Sequence, residues 1–294
     1  MLKLSLFFGA ETKNIGEANA CVLGLCWDKS SSFRFGSAKA PKVIRRYTTS
    51  KLYNPYAESG VNIKEKWRIY DFGDLKPENF LDIEPMVREK IEKLSNVKLF
   101  MFLGGDHSIT YPIMKALKTV VGGEWGLVYF DSHPDLYEVY EGNLYSHACT
   151  VRRIIEDEIV NSKNIVQVGI RASTKEQLEY AKKNGITIIS TAEVYKMKAK
   201  KVAEGIKRVV SNTDNVYVSF DVDVLDPAYA PGVGNPEGAG ITTRQLVDVI
   251  HGLEGISIRA FDVVEANPEY DSMHITFYGV VKVVRELLGI VNVK

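Results

Sequence analysis

Short apolar runs alternate along this chain with stretches of helical periodicity. Runs rich in Val, Ile, Phe and Tyr near 19–25, 67–72, 97–103, 125–131, 164–169, 186–189, 215–221 and 256–263 read as strands. They carry few polar positions, the pattern of strands buried on both faces. Between them, Ile83–Leu94, Tyr111–Val120, Ser146–Glu156, Thr174–Asn184, Thr191–Val210, Thr242–Leu253 and Met273–Leu288 repeat apolar residues at helical spacing. Thr174 and Thr242 stand where N-caps belong. This alternation predicts an α/β fold of three layers, α/β/α, with a mostly parallel sheet of eight strands covered by helices on both faces. No repeat, low-complexity tract or linker interrupts it, so residues 1–294 are expected to form a single domain. Ligands in such folds bind beyond the carboxyl ends of the strands.

Three strand ends carry candidate chemistry. Asp131-Ser132-His133-Pro134-Asp135 follows the apolar run 126–130, and Asp221-Val222-Asp223 follows the run 216–220. If these segments stay extended, residues two apart share a face. Gly104-Gly105-Asp106-His107-Ser108 ends a third strand. Two His and four Asp converging there would repel one another without cations among them, so the pattern reads as a two-metal site. Asp226 to Pro236, rich in Gly and Pro, predicts a long irregular loop beside it.

Composition narrows the setting. Lys+Arg and Asp+Glu both number 37, so no basic excess points to nucleic acid or an anionic membrane. No apolar run reaches the ~18 residues of a membrane span. The apolar start, Met1 to Phe8, is too short for a convincing secretory leader. Cys21, Cys26 and Cys149 are too few and scattered for a disulfide framework, and a reducing cytoplasm is expected.

The motif blocks, taken together and in order, resemble those of the ureohydrolases, the arginase and agmatinase family, most nearly the agmatinases. They are Gly104 to Ser108, Asp131-x-His133-x-Asp135, and Ser219-Phe220-Asp221-Val222-Asp223-x-x-Asp226-Pro227-x-x-Ala230-Pro231-Gly232. Asp28 to Arg45 resembles the family's early block, and Phe261-Asp262-x-x-Glu265-x-Asn267-Pro268-x-x-Asp271 its late one. The resemblance implies two Mn²⁺ ions. His107, Asp131, Asp135 and Asp221 would hold one, and His133, Asp131, Asp221 and Asp223 the other, with Asp131 and Asp221 bridging. Oxygen-rich ligation with some imidazole suits manganese. A water shared by the metals would be deprotonated near neutral pH. That nucleophile would attack a guanidinium carbon, releasing urea and an amine. The resemblance further makes His147 the proton shuttle and Glu265 the partner that orients the guanidinium.

Tyr137 stands where arginases place an Asn, and Ala172-Ser173-Thr174 follows Gly169-Ile170-Arg171 without the acidic residues arginases carry there. The expected substrate is therefore agmatine, cleaved to putrescine and urea. N1-aminopropylagmatine, guanidinobutyrate and formiminoglutamate are the alternatives. Tyr137, Glu138 and Glu141 are candidate substrate contacts, the two Glu for a distal ammonium. A symmetric homo-oligomer, trimer or hexamer, is implied, with no nucleic-acid or membrane partner. A non-catalytic homologue would have lost a ligand or the shuttle, and a zinc deacetylase needs only one metal. Asp106 is expected to bond backbone rather than metal, Asp226 to fix its loop, Cys149 to pack, and His251 and His274 to be ordinary structural residues.

Overall fold

The computed structural model describes residues 6–49, 51–94 and 96–293; the leader reading falls largely on the first five, outside the described residues. The strands are β1 (Glu11–Thr12), β2 (Ala20–Leu25), β3 (Ile69–Leu75), β4 (Leu99–Leu103), β5 (Trp125–Phe130), β6 (Ile165–Ile170), β7 (Thr187–Ser190), β8 (Asn215–Asp221) and β9 (Ile258–Val264). They form one all-parallel sheet in the order β1-β3-β2-β4-β9-β8-β5-β6-β7. All eight expected strands are present. The ninth, β1, is two residues long and pairs only at Glu11↔Ile69 and Thr12↔Tyr70. It has too few residues for any hydrophobic periodicity to show.

The helices are α1 (Ala40–Tyr47), α2 (Ile63–Lys66), α3 (Ile83–Ile91), α4 (Thr110–Val121), α5 (Thr150–Glu156), α6 (Lys175–Asn184), α7 (Thr191–Lys196), α8 (Ala199–Val209), α9 (Thr243–Gly252) and α10 (Ile275–Ile290). The expected helix over Thr191–Val210 divides, because Met197 and Lys198 are extended (ψ 151° and 145°). Apolar spacing alone did not register that break. Thr174 and Thr242 do cap α6 and α9, each in a reciprocal capping box with the Gln three residues on.

Strand side chains alternate between two cores. Val128 and Phe130 of β5 join the core under α1, α7, α8, α9 and α10, while Trp125, Leu127 and Tyr129 face α3, α4, α5 and α6. Both faces are therefore dry, which is why the strands read as apolar throughout. Four central strands, in the order β4-β9-β8-β5, end side by side. Phe130 pairs with Phe220, and both Phe220 and Leu103 pair with Val263. Asp221 is the last residue of β8, and the loops leaving the other three ends carry His107, Glu265 and Asp131.

Away from these residues in the chain, Glu286 of α10 is fully buried. It meets Lys282 (2.6 Å), His251 Nε2 (2.8 Å) and the Glu58 backbone N–H (3.0 Å). His251 is thus structural, as expected. Burial opposes ionisation of Glu286, but these donors outweigh it and hold its carboxyl below the usual range. The sign follows: this contribution is present above the unfolded carboxyl value of ~4.3 and is lost as pH falls through the depressed folded value. Glu286→Ala removes the acceptor shared by Lys282, His251 and the Glu58 N–H and is expected to cost about 1–3 kcal/mol. Urea denaturation at neutral pH measures it, and an unchanged midpoint would refute it.

Candidate functional site

Each acidic segment folds into a tight turn rather than continuing its strand. The Asp131 carboxylate accepts the His133 N–H (2.6 Å), and the Asp221 carboxylate accepts the Asp223 N–H (2.8 Å). Asp223 lies in the short helical turn Val222–Val224. The i,i+2 spacing therefore works through side-chain-to-backbone turns, which corrects the expectation of an extended chain with alternating faces. His107 opens another short turn, capped by Asp106, which accepts the Ser108 N–H (3.1 Å) and the Ser30 N–H (2.9 Å). Asp106 thus bonds backbone, as expected. Gly105 is needed here, because any Cβ would overlap the Trp27 carbonyl.

The turns bring two ligand groups together: His107, Asp131 and Asp221, and then Asp131, His133 and Asp223. Asp131 belongs to both. His107 Nδ1 lies 2.9 Å from Asp221 Oδ2, 3.0 Å from Asp131 Oδ2 and 3.6 Å from Asp135 Oδ2. His133 Nδ1 lies 3.1 Å from Asp223 Oδ2 and 3.5 Å from Asp131 Oδ1. Asp135 sits at the edge of the first group in a left-handed conformation (φ 51°), held by the Tyr129 hydroxyl at 2.6 Å.

A layer behind the ligands sets the His107 tautomer. Asp262 accepts bonds from Thr110 (2.6 Å), Ser219 (2.7 Å) and Tyr217 (2.8 Å) hydroxyls. Ser219 thereby spends its hydrogen on Asp262, and its oxygen accepts from His107 Nε2–H at 2.8 Å. The Nδ1 lone pair is then left facing three carboxylates. Acceptors facing acceptors in a dry site is the arrangement a cation resolves. Asp131 Oδ2, buried and without a hydrogen-bond partner among the described residues, points the same way. Ser219, Tyr217, Thr110 and Tyr129 had no assigned role in the sequence; their positions lie within or near the motif blocks, and for the first three the partner is more than 40 residues away in the chain.

The electrostatics agree. Burial, with Asp223 and Asp131 beside it, pushes the Asp221 carboxyl well above its ordinary value. Burial and Asp131 push Asp135 up to about 7. Burial opposes the His107 cation, but Asp131 and Asp221 beside it favour it more and raise the ring, so a proton and a metal cation compete for Nδ1. Four carboxylates carry a negative surplus that two divalent cations would balance, so these residues fit a two-metal centre.

Beside this centre lies a cavity of about 360 Å³. It is lined by His133, Asp135, Asp221, Asp223, His147 and Glu265, and also by Ser32, Tyr137, Tyr140, Ser173, Thr174, Gln177 and Asn235. Glu265 is 2% exposed and adopts a left-handed backbone (φ 63°), a strain of order 1–3 kcal/mol that functional sites tolerate. Its Oε1 accepts from the His107 N–H (2.9 Å) and pairs with His147 Nδ1 (2.8 Å). Its Oε2 has no hydrogen-bond partner among the described residues. A Cβ on Gly234 would come within 2.5 Å of that oxygen, so glycine keeps the approach clear. Burial opposes the His147 cation, but Glu265 favours it more, raising the ring to about 9.

Glu138 and Glu141 are not among the residues lining this cavity. Both are exposed, and the Glu138 carboxylate reaches toward Arg152 (3.5 Å). The structure thus separates them from Tyr137, which does line it. Cys149 is packed, as expected. Among the described residues no helix is long and apolar enough to cross a membrane.

A family model described as "Arginase family" matches residues 18–289. The chain is 35% identical over 285 residues to arginase 1, mitochondrial, of Oryza sativa subsp. indica, covering 92% of this chain and 81% of that protein. It is 32% identical to agmatinase of Bacillus subtilis, covering 92% and 91%. Its fold is similar to the crystal structure of agmatine ureohydrolase of Thermoplasma volcanium, with TM-score 0.85, 30% identity, and coverage of 98% and 94%.

Proposed function

This chain belongs to the arginase family of guanidino hydrolases, and we propose that it cleaves agmatine to putrescine and urea at a dimanganese centre. One observation carries the reading: a buried carboxylate with a free oxygen, a histidine bonded to it, and two metal-type ligand groups share one cavity. His107, Asp131, Asp135 and Asp221 would hold one Mn²⁺, and Asp131, His133, Asp221 and Asp223 the other. When bound, the pair would supply a water activated as nucleophile at neutral pH.

The chain's own residues do the rest. Glu265 Oε2 faces the space a planar guanidinium needs, and a carboxylate there orients it by charge-assisted hydrogen bonds. His147, held in reach by Glu265, protonates the leaving nitrogen as its bond to carbon breaks. Tyr137 and Tyr140, with ring centroids 5.2 Å apart, offer aromatic faces to an alkyl ammonium. No Lys or Arg is among the lining residues to pair with a substrate carboxylate.

A second reading, arginine, is favoured by Thr174 and Gln177, which bring the N-terminus of α6 and neutral hydrogen-bonding groups to the wall. A helix N-terminus favours a carboxylate. The arginases among the relatives support it equally.

The test is urea release by manganese-loaded protein offered agmatine, aminopropylagmatine, arginine and guanidinobutyrate side by side. Agmatine is expected to give the highest kcat/KM, by about tenfold or more over arginine, since one mismatched polar end costs 1–3 kcal/mol. Preference for arginine would establish the second reading. No urea from any of the four, with two metals bound, would overturn both.

A further inference from the structure

His147 makes two contacts, and only one belongs to the reading above. Its Nδ1 faces Glu265 Oε1. Its Nε2 faces Ser32 twice: the hydroxyl at 2.8 Å and the backbone N–H at 3.2 Å. Ser32 lies about 115 residues away in sequence, in a loop that also receives the Asn235 amide, whose Nδ2 donates to Ser32 Oγ at 3.1 Å. Ser32 is partly exposed and lines the cavity.

A backbone N–H is a donor only. It serves Nε2 when that nitrogen is bare, and opposes a proton there. The histidine that protonates a leaving group must pass through both states. A serine hydroxyl has one hydrogen and two lone pairs. Asn235 uses one lone pair. Either the hydrogen or the second lone pair can then meet Nε2, by rotation about Cβ–Oγ. The hydroxyl is the one partner at Nε2 that fits every protonation state of the ring.

We propose that Ser32 is a positioning residue for the reaction, whose hydroxyl switches between donor and acceptor and so keeps the protonated form of His147 available as the proton source. The proposal rests on the shuttle role given to His147 above. The proton leaves Nε2 for the leaving nitrogen, whose new lone pair comes from the broken C–N bond, while Nδ1 keeps its hydrogen toward Glu265 Oε1; the bare Nε2 then accepts from the Ser32 hydroxyl. The ring is then neutral and Ser32 Oγ remains paired with it. Asn235, by holding Oγ, fixes the direction from which the hydroxyl serves the ring. Glu265, bonded to Nδ1, favours the His147 cation, as do Asp135 and Asp106; His133, in the same cavity, and divalent cations held by Asp135 and its neighbours would oppose it. The Ser32 N–H opposes it, and the hydroxyl removes that opposition.

In Ser32→Ala only the N–H remains, so the neutral ring with its proton on Nδ1 is favoured. The experiment has two readouts. The first is ¹⁵N NMR of His-labelled protein loaded with diamagnetic zinc, following the His147 ring against pH. The Ser32→Ala midpoint is expected about one unit below wild type, the worth of one hydrogen bond to a charged group. Ser32→Thr, which keeps the hydroxyl, should restore it. The second is manganese-dependent urea release. Ser32→Ala should lower kcat about tenfold above neutral pH with KM within about twofold, moving the alkaline limb of the profile to lower pH, and Thr should rescue it. An unchanged His147 midpoint in Ser32→Ala overturns the proposal, as does a fall in KM-governed binding with kcat intact. Absence of urea release in wild type would sink the functional reading instead, and the NMR midpoint would still decide whether the Ser32 hydroxyl governs this ring.

Discussion

Asp131→Asn is expected to lower urea release at least a thousandfold and to leave the protein with one tightly held divalent cation or none. Asp131 is the residue common to both ligand groups, and its Oδ2 is buried without a hydrogen-bond partner among the described residues. Removing its charge leaves one fewer carboxylate against the same cations. A metal-activated nucleophile contributes several kcal/mol, and each ~1.4 kcal/mol is tenfold in rate. Metal analysis after dialysis, beside kcat at saturating substrate, checks both halves. Two metals retained with near-normal turnover would refute the shared-ligand assignment. Retained fold, by circular dichroism, is expected, because the neighbouring strands β5 and β8 pair through their backbones and not through this carboxylate.

Glu265→Gln is expected to reduce kcat/KM roughly 10²- to 10³-fold while both metals stay bound. The substitution keeps size and hydrogen-bonding atoms but removes the charge that a guanidinium pairs with. Loss of one partner of a buried charged pair costs about 2–5 kcal/mol. Glu265 is in neither metal group, so metal content separates this variant from Asp131→Asn. Its second consequence is on His147. With the neighbouring carboxylate gone, the ring loses the first contact that favours its cation, and the alkaline limb of the kcat profile should move to lower pH. Unchanged KM and kcat with a guanidino substrate would remove Glu265 from substrate binding.

Much of this site was legible along the chain. Asp131, His133, Asp135, Asp221, Asp223 and His107 each lie at or just after an apolar run, and those runs are β5, β8 and β4. Glu265 follows β9 in the same way. Strands buried on both faces announce themselves by continuous apolar character, so eight of nine were readable, and helix caps such as Thr174 and Thr242 marked two starts. What escaped had physical reasons. β1 is too short to show a period, and the break at Met197–Lys198 is a backbone choice that apolar spacing does not encode. Glu138 and Glu141 neighbour Tyr137 in sequence, yet the chain turns after Tyr137 and carries them away from the cavity.

Apolar runs and the His and Asp residues that close them were readable from the chain, and so was their place at strand ends. This was so because burial and ligand chemistry are local properties of residues. Which ends meet follows from the strand order of the folded sheet. The order β4-β9-β8-β5 sets side by side four strands that are scattered in the chain. The tertiary structure also decided the tautomers: Ser219 and Asp262 aim the His107 lone pair at carboxylates, and Ser32 closes on His147 from a distant loop. Such contacts depend on strand order, register and loop path, which arise from packing the whole chain and leave no periodic trace in any one segment.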